Sequence, residues 1–103
     1  MSKRYNINYL PVARKDLIDI IEYIQEDNPK AALKFLNQIE DTISKLEDFP
    51  YMGATPKDTL LQYKGYRILV IQNYLVFYVV KENSLEVEIR RIIHGKRKYD
   101  FLL

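Results

Sequence analysis

The chain has 103 residues, 48% hydrophobic and 29% charged, with a formal net charge of +2, which is typical of one folded domain over residues 1–103 rather than of a disordered chain. It contains no cysteine and one histidine, which excludes a disulfide scaffold, a thiolate zinc site and a multi-histidine metal cluster. No apolar run approaches the ~20 residues of a membrane helix and the N-terminus does not lead into a secretion signal, so we expect a cytoplasmic protein without membrane contact.

The first half of the chain predicts one strand and two helices. Residues 5–9 alternate apolar and polar side chains, which is the period of a half-buried strand. A helix is expected from Pro11 onward, because apolar residues then recur every three or four positions. Asn28 and Pro29 are a favoured N-cap and first helical residue, so they predict a second helix, which should end near Asp48. The short connection predicts an antiparallel helical hairpin.

The second half predicts an irregular connection and three strands. Residues 49–59 contain two prolines and a glycine, and the strands 66–71, 74–80 and 86–94 follow with short polar breaks between them. The order β-α-α-β-β-β predicts an α+β domain in which a three-stranded antiparallel meander packs on the helical hairpin.

The central strand, residues 74–80, is apolar on both faces, which indicates that both are covered. Tyr74 and Tyr78 share one face, and Leu75 and Phe77 share the other. One of these faces must pack against the helices. For the other face two covers stay open: a segment of a partner protein, or the 49–59 connection of the chain itself.

Strict alternation in the last strand predicts two sets of side chains. Val87, Ile89, Arg91 and Ile93 should face one side, and Glu88, Arg90, Ile92 and His94 the other. The two adjacent arginines should therefore point apart, with one of them meeting solvent or a helix carboxylate such as Glu22. Glu86 and Glu88 share a face, but no third ligand accompanies them, so we predict no metal site and no cofactor.

Positive charge is concentrated at the end of the chain. Residues 1–63 have a net charge of −2 and residues 64–103 a net charge of +4, and residues 90–98 carry five lysines and arginines and no acid. Such a patch favours an anionic partner, and the alternative is a solvated strand end that binds nothing.

Four segments carry a resemblance to a known family. They read DNPKAA (27–32), LEDFPYMG (46–53), NYLVFY (73–78) and RIIHGKR (91–97). In this order they resemble the RelE/ParE superfamily of bacterial toxins over nearly the whole chain. The resemblance implies the toxin of a type II toxin–antitoxin pair, which arrests growth and is neutralised by a small cognate antitoxin protein.

The superfamily contains two kinds of activity. RelE-like toxins are metal-free endoribonucleases that cut mRNA in the ribosomal A site, whereas ParE-like toxins have a similar fold and poison DNA gyrase. The target implied is therefore either gyrase or the ribosome with its mRNA, and whether the chain is an enzyme stays open. A third possibility is a nucleic-acid-binding or interaction domain without toxic effect.

RNA cleavage would need groups that move protons and stabilise a phosphorane. A histidine suits proton transfer, a tyrosine can protonate a leaving group or stack on a base, and arginines can hold a phosphate. Under the nuclease hypothesis the catalytic candidates are His94, Arg97, Arg67 and Tyr99. The candidates for binding the target or a nucleic acid are Lys64, Arg90, Arg91, Lys96 and Lys98.

The third strand favours the ParE-like branch. RelE-like nucleases have an arginine early in this strand, in a pattern of the form Tyr-Arg-Leu-Val-Tyr, and the matching position here is Leu75. Leucine can neither bind a phosphate nor stabilise an oxyanion. Arg67 could compensate from the neighbouring strand, and Arg97 matches the nuclease branch. On balance the sequence favours inhibition of gyrase, with ribosome-dependent mRNA cleavage as the alternative.

Overall fold

The computed structural model describes residues 4–97, and its elements follow the predicted order. The helices and strands are β1 (Asn6–Tyr9), α1 (Pro11–Asp27), α2 (Pro29–Ser44), α3 (Thr59–Tyr63), β2 (Tyr66–Ile71), β3 (Tyr74–Lys81) and β4 (Glu86–His94). Short 3₁₀ turns occupy Lys45–Glu47 and Glu82–Ser84. Among the described residues no helix has the length and apolar character that crossing a membrane requires.

Asn28 forms the corner of the helical hairpin, as predicted. Its backbone N–H donates to the carbonyl oxygen of Ile24 at 2.9 Å, which ends α1. Its side-chain oxygen accepts from the backbone N–H of Ala31 at 3.1 Å, which caps α2. Pro29 follows at the first helical position, where a missing N–H has no consequence. One residue therefore ends one helix and starts the next.

The four strands form one mixed sheet in the order β1-β4-β3-β2. β2, β3 and β4 make the predicted antiparallel meander. β1 pairs in parallel with β4, from Asn6 opposite Glu86 to Tyr9 opposite Ile89, a pairing that the sequence left open. The helical hairpin allows it, because it returns the chain across the sheet before the meander begins.

A β-bulge interrupts the pairing of β3 with β4. On β3, Phe77 pairs with Arg91. The next β3 residue, Tyr78, pairs with Ile89, so Arg90 is an extra residue on β4. An extra residue shifts the alternation of side chains by one position from that point onward.

The bulge makes the predicted alternation of β4 wrong beyond Arg90. Ile92 does not share a face with Glu88. It joins Val87 in the core cluster on the helix side of the sheet, and Ile93 packs in the cluster on the opposite side. His94 lies beside Tyr74, which packs against the helix-side core. A sequence pattern cannot reveal a bulge whose flanking residues are all compatible with a strand.

The chain itself covers part of the outer face of the sheet. α3 places Leu61, which is fully buried, on a cluster that contains Phe77 and Val79. Of the two covers left open by the sequence, the structure shows an intramolecular one, but it is α3 rather than the predicted connection, since Phe49 is 66% exposed. The sequence analysis did not predict α3, because a helix of 5 residues has too few turns to show a period.

Candidate target-binding surface

The chain leaves β4 through an exposed turn, residues 94–97, which we call the basic turn. The backbone N–H of Gly95 donates to the carbonyl oxygen of Asn73 at 2.7 Å, and that of Arg97 donates to the carbonyl oxygen of His94 at 2.9 Å. The first bond connects the basic turn to the β2–β3 hairpin, and the second closes the turn itself. The side chains of His94, Lys96 and Arg97 are exposed. The structure therefore brings these three predicted site residues together.

His94 has a defined orientation in the basic turn. Its Nδ1 accepts a hydrogen bond from the backbone N–H of Lys96 at 3.1 Å. Its ring stands edge-on to that of Tyr74, with 5.3 Å between the centroids. Because Nδ1 acts as an acceptor, the ring proton is on Nε2. In this conformation the imidazole offers a hydrogen-bond donor to a ligand, and its basic nitrogen is engaged in the turn.

An open depression of about 310 Å³ lies beside the basic turn. Its wall combines the imidazole of His94 and the ammonium group of Lys96 with the apolar side chains of Leu75 and Val70, of which Val70 is 68% exposed. The residues that line it are Val70, Gln72, Asn73, Leu75, His94, Gly95 and Lys96. A depression whose lining combines a lysine with apolar side chains suits a protein surface that presents acidic and apolar groups together.

Arg67 lies elsewhere and has a structural role. Its Nη1 donates to the carbonyl oxygens of Tyr51 and Gly53 at 3.1 and 2.8 Å, and its guanidinium stands 5.0 Å from the centroid of the Tyr51 ring. Arg67 pairs with Tyr78, whereas His94 pairs with Tyr74, four residues along β3. That offset is about 13 Å along the strand, so Arg67 does not reach the basic turn.

Arg90 belongs to an ion-pair cluster on the outer face. Its Nε donates to Glu88 at 2.8 Å, and Lys81 contacts the other oxygen of Glu88 at 3.1 Å. The guanidinium also lies 5.4 Å from the centroid of the Tyr66 ring. Burial on its own would raise the pKa of Glu88, but the hydrogen bonds and charges of Lys81 and Arg90 outweigh it and lower the pKa.

This cluster predicts a dependence of stability on acid. Since the pKa of Glu88 is lowered in the folded chain, its contribution is complete above the ordinary carboxyl value of 4.5 and is lost as the pH falls through the folded-state pKa. Glu88→Gln should therefore lose about 2 kcal/mol of unfolding free energy at pH 7, and much less at pH 3. Urea titrations of both proteins at the two pH values measure this. A difference that grows on acidification would contradict it.

Arg91 is paired with a helix carboxylate, as one of the two arginines was expected to be. The carboxylate is Asp16 of α1 rather than Glu22. Its two oxygens accept from Nε and Nη2 of Arg91 at 2.7 and 3.0 Å, and one of them also accepts from the backbone N–H of Ile92 at 3.0 Å. The hydrogen bonds that Arg91 donates to Asp16 raise the pKa of Arg91.

The remaining predicted residues fall outside this surface. Lys64 is exposed and follows the C-terminus of α3. Lys98 and Tyr99 lie outside the described residues 4–97. In that part of the chain no three His, Cys, Asp or Glu side chains converge as metal ligands. Of the predicted site residues, the structure thus groups His94, Lys96 and Arg97 and separates them from Arg67.

Two features of the surface escaped the sequence analysis. Asp16 lies outside the apolar stripe of α1 and resembles any solvated helix acid, so no local signal marks it. Gln72 and Asn73 were assigned only as a polar break between strands. The positive φ of Gln72, 53°, is typical of a tight hairpin, and its side chain donates to the amide oxygen of Gln38 at 2.8 Å.

The chain matches a known protein family. The sequence profile of a family described as the ParE toxin of the type II toxin-antitoxin system parDE matches residues 7–99. No curated protein sequence matches the chain.

Two solved structures share the fold. The chromosomal ParDE system from P. aeruginosa has a TM-score of 0.73 and 22% identity, covering 90% of this chain and 98% of that one. The toxin-antitoxin complex RelBE2 from Mycobacterium tuberculosis has a TM-score of 0.60 and 20% identity, covering 88% of this chain and 98% of that one.

Proposed function

This chain belongs to the ParE toxin family of type II toxin–antitoxin systems, and from that premise we propose that it arrests bacterial growth by binding DNA gyrase through the surface around its basic turn. The membership makes it the toxin of such a pair. Gyrase as the target, and the basic turn as the contact, are the steps that we add. Under this proposal the chain meets gyrase in the cytoplasm.

The observation that carries the choice of target is the environment of Leu75. In RelE-like nucleases the matching position is an arginine. Here Leu75 pairs with Val70 on one side and with Ile93 on the other, so an apolar row crosses three strands at this point. Such a row supports contact with a protein surface, whereas a phosphate would need a donor there.

The arginines of the sheet support the same choice. Arg67 donates to backbone carbonyls, Arg90 pairs with Glu88, and Arg91 pairs with Asp16. Each guanidinium therefore has an intramolecular acceptor that it would have to leave before it could hold a scissile phosphate. In the basic turn, the side chains of Lys96 and Arg97 are exposed.

We further propose that a cognate antitoxin protein neutralises the chain. Two structures that share its fold are described as a ParDE toxin–antitoxin system and a RelBE2 toxin–antitoxin complex. A net charge of +4 over residues 64–103 favours an acidic partner segment.

Metal-free mRNA cleavage is the alternative, and one observation favours it. His94 and Arg97 belong to the same exposed turn, joined by a backbone hydrogen bond of 2.9 Å. A proton-transfer group next to a phosphate ligand is what such cleavage needs. Against it, Nδ1 of His94 accepts from the backbone of Lys96, so a role as general base requires that the turn opens first.

Induction of the chain in growing cells, without an antitoxin, separates the two functions. We expect DNA synthesis to stop first, with filamentation, while pre-existing mRNA keeps its length on a northern blot. Cleavage of mRNA within minutes, before DNA synthesis slows, would overturn the gyrase proposal in favour of the nuclease. Unimpaired growth at a verified protein level would overturn both.

A further inference from the structure

We propose that Asp16 of α1 is a positioning residue for the basic turn. By holding the β-bulge of β4 in place, it sets the face of the sheet on which His94 stands and the path by which Lys96 and Arg97 reach the surface. The inference deepens the proposed function and rests on it, since it assumes that the basic turn is the contact with the target.

Asp16 binds the strand directly after the bulge. Arg90 is the extra residue, and the next two residues, Arg91 and Ile92, both donate to the carboxylate of Asp16, at distances between 2.7 and 3.0 Å. Arg91 uses its side chain and Ile92 its backbone N–H. The carboxylate therefore fixes both the direction of the Arg91 side chain and the position of the strand backbone directly after the bulge.

The contact is sheltered and spans the fold. The side chain of Asp16 is only 13% exposed and that of Arg91 only 17%, and the two residues lie 75 positions apart in the chain. A bidentate arginine–carboxylate pair with little exposure has one preferred geometry, so it acts as a spacer between α1 and β4 rather than as a loose attraction.

The bulge determines on which face of the sheet His94 stands. Without an extra residue, His94 would share a face with Glu88, whose cluster lies on the outer side of the sheet. With the bulge, His94 stands opposite Tyr74 with its ring against that tyrosine. A slip of one residue would reverse every side chain beyond the bulge and break the register that lets Gly95 bond to Asn73.

The second carboxylate at the bulge cannot replace Asp16. Glu88 pairs with Arg90, two residues along the same strand, and with Lys81 on the neighbouring strand. It lies before the bulge and balances the charge of the extra residue. Asp16 is therefore the carboxylate that connects the far side of the bulge to the helices.

The test uses the fact that His94 is the only histidine in the chain. Its imidazole gives one set of ¹H and ¹⁵N signals in the full-length protein, and these report the Nε2–H tautomer and the contact with Tyr74. The near-isosteric variant Asp16→Asn removes the charge that orients Arg91. Asp19→Asn is the matched control, because it makes the same change on the same helix in an exposed residue that pairs with Lys15 at 3.1 Å.

We expect Asp16→Asn to shift the His94 signals, to weaken the cross-peak to Tyr74 and to raise the toxin level needed for growth arrest about tenfold. Asp19→Asn should leave both measurements at the wild-type values. If Asp16→Asn does not fold, Asp16→Glu serves instead: it keeps the charge one methylene further out, so the signals of His94 should move while Arg91 stays paired.

Two results overturn the inference. The first is a His94 spectrum that is the same in the Asp16 variant and the wild type. The second is a shifted spectrum with full growth arrest. In that second case, the combined variant Lys96→Glu, Arg97→Glu distinguishes the causes: if it is toxic as well, the basic turn is not the contact and the proposed function fails, whereas if it is inactive, only the role of Asp16 fails.

Discussion

Replacing Lys96 and Arg97 together by glutamate is expected to abolish growth arrest while leaving the fold intact. Both side chains are exposed, and the basic turn is held by backbone hydrogen bonds that do not depend on them. Reversing two charges at an interface places like charges against the partner, which costs several kcal/mol, so inhibition of gyrase should fall about 100-fold or more. The midpoint of a plasmid-supercoiling titration measures this.

The matched control reverses two charges on the helical hairpin. Lys30 and Lys34 of α2 are exposed, so Lys30→Glu, Lys34→Glu changes the net charge by the same amount on a different element of the fold. This variant should inhibit gyrase like the wild type. Equal losses in both variants would show that the total charge of the chain matters and not the basic turn. Unfolding free energies within about 0.5 kcal/mol of the wild type would confirm that neither pair is structural.

Gly53→Ala is expected to cause a large loss of stability, about 3 kcal/mol. A Cβ at this position would lie 2.6 Å from the hydroxyl oxygen of Tyr78 and 2.9 Å from the carbonyl oxygen of Ile68. The Tyr78 side chain is fully buried, accepts from the N–H of Gly53 at 2.9 Å and donates to the carbonyl oxygen of Pro50 at 2.8 Å. The added methyl group therefore forces apart a buried hydrogen-bonded cluster that has no room to shift. Urea denaturation measures the loss.

Two tyrosine variants separate the clash from the hydrogen bonds. Tyr78→Phe leaves the space unchanged but removes both bonds, so it should cost about 2 kcal/mol. Tyr63→Phe is the control, because Tyr63 is 84% exposed and should tolerate the change. A Gly53→Ala protein as stable as the wild type would show that the 50–53 segment adjusts freely and that Tyr78 does not anchor it.

The elements of the fold could be predicted because each has a local signal. β2 and β4 begin and end at the predicted residues, since apolar runs with polar breaks mark both ends. The corner between the helices follows from Asn28 and Pro29, whose preferences act within a single turn. The parallel pairing of β1 with β4 and the five residues of α3 had no such signal, because both depend on how distant segments pack.

The site could be predicted only in part, for the same reason. The basic turn is a run of cations in the sequence, so His94, Lys96 and Arg97 were candidates from the start. The use of Arg67 to hold the carbonyls of the 50–53 segment depends on contacts across 14 and 16 positions, and a sequence pattern suggested a phosphate ligand instead. The sequence shows where the arginines are, but only the structure shows which acceptors their guanidinium groups bind within the chain.

The bulge is the clearest case of information that only the structure contains. Every residue from Val87 to Ile93 suits a strand, so alternation alone puts Ile92 on the wrong face. The extra residue, Arg90, pairs with Glu88, which is close in sequence, and the next residue, Arg91, pairs with Asp16 on α1. A side-chain pair between α1 and β4, 75 positions apart, produces no periodic pattern in the sequence.

Inhibition of DNA gyrase by the purified chain is the most direct test of the proposed function. We predict that the wild type blocks supercoiling of a relaxed plasmid by gyrase in a concentration-dependent manner, that adding the cognate antitoxin restores it, and that translating ribosomes treated with the same chain keep their mRNA uncut. Unaffected supercoiling together with cut mRNA on those ribosomes would contradict the account.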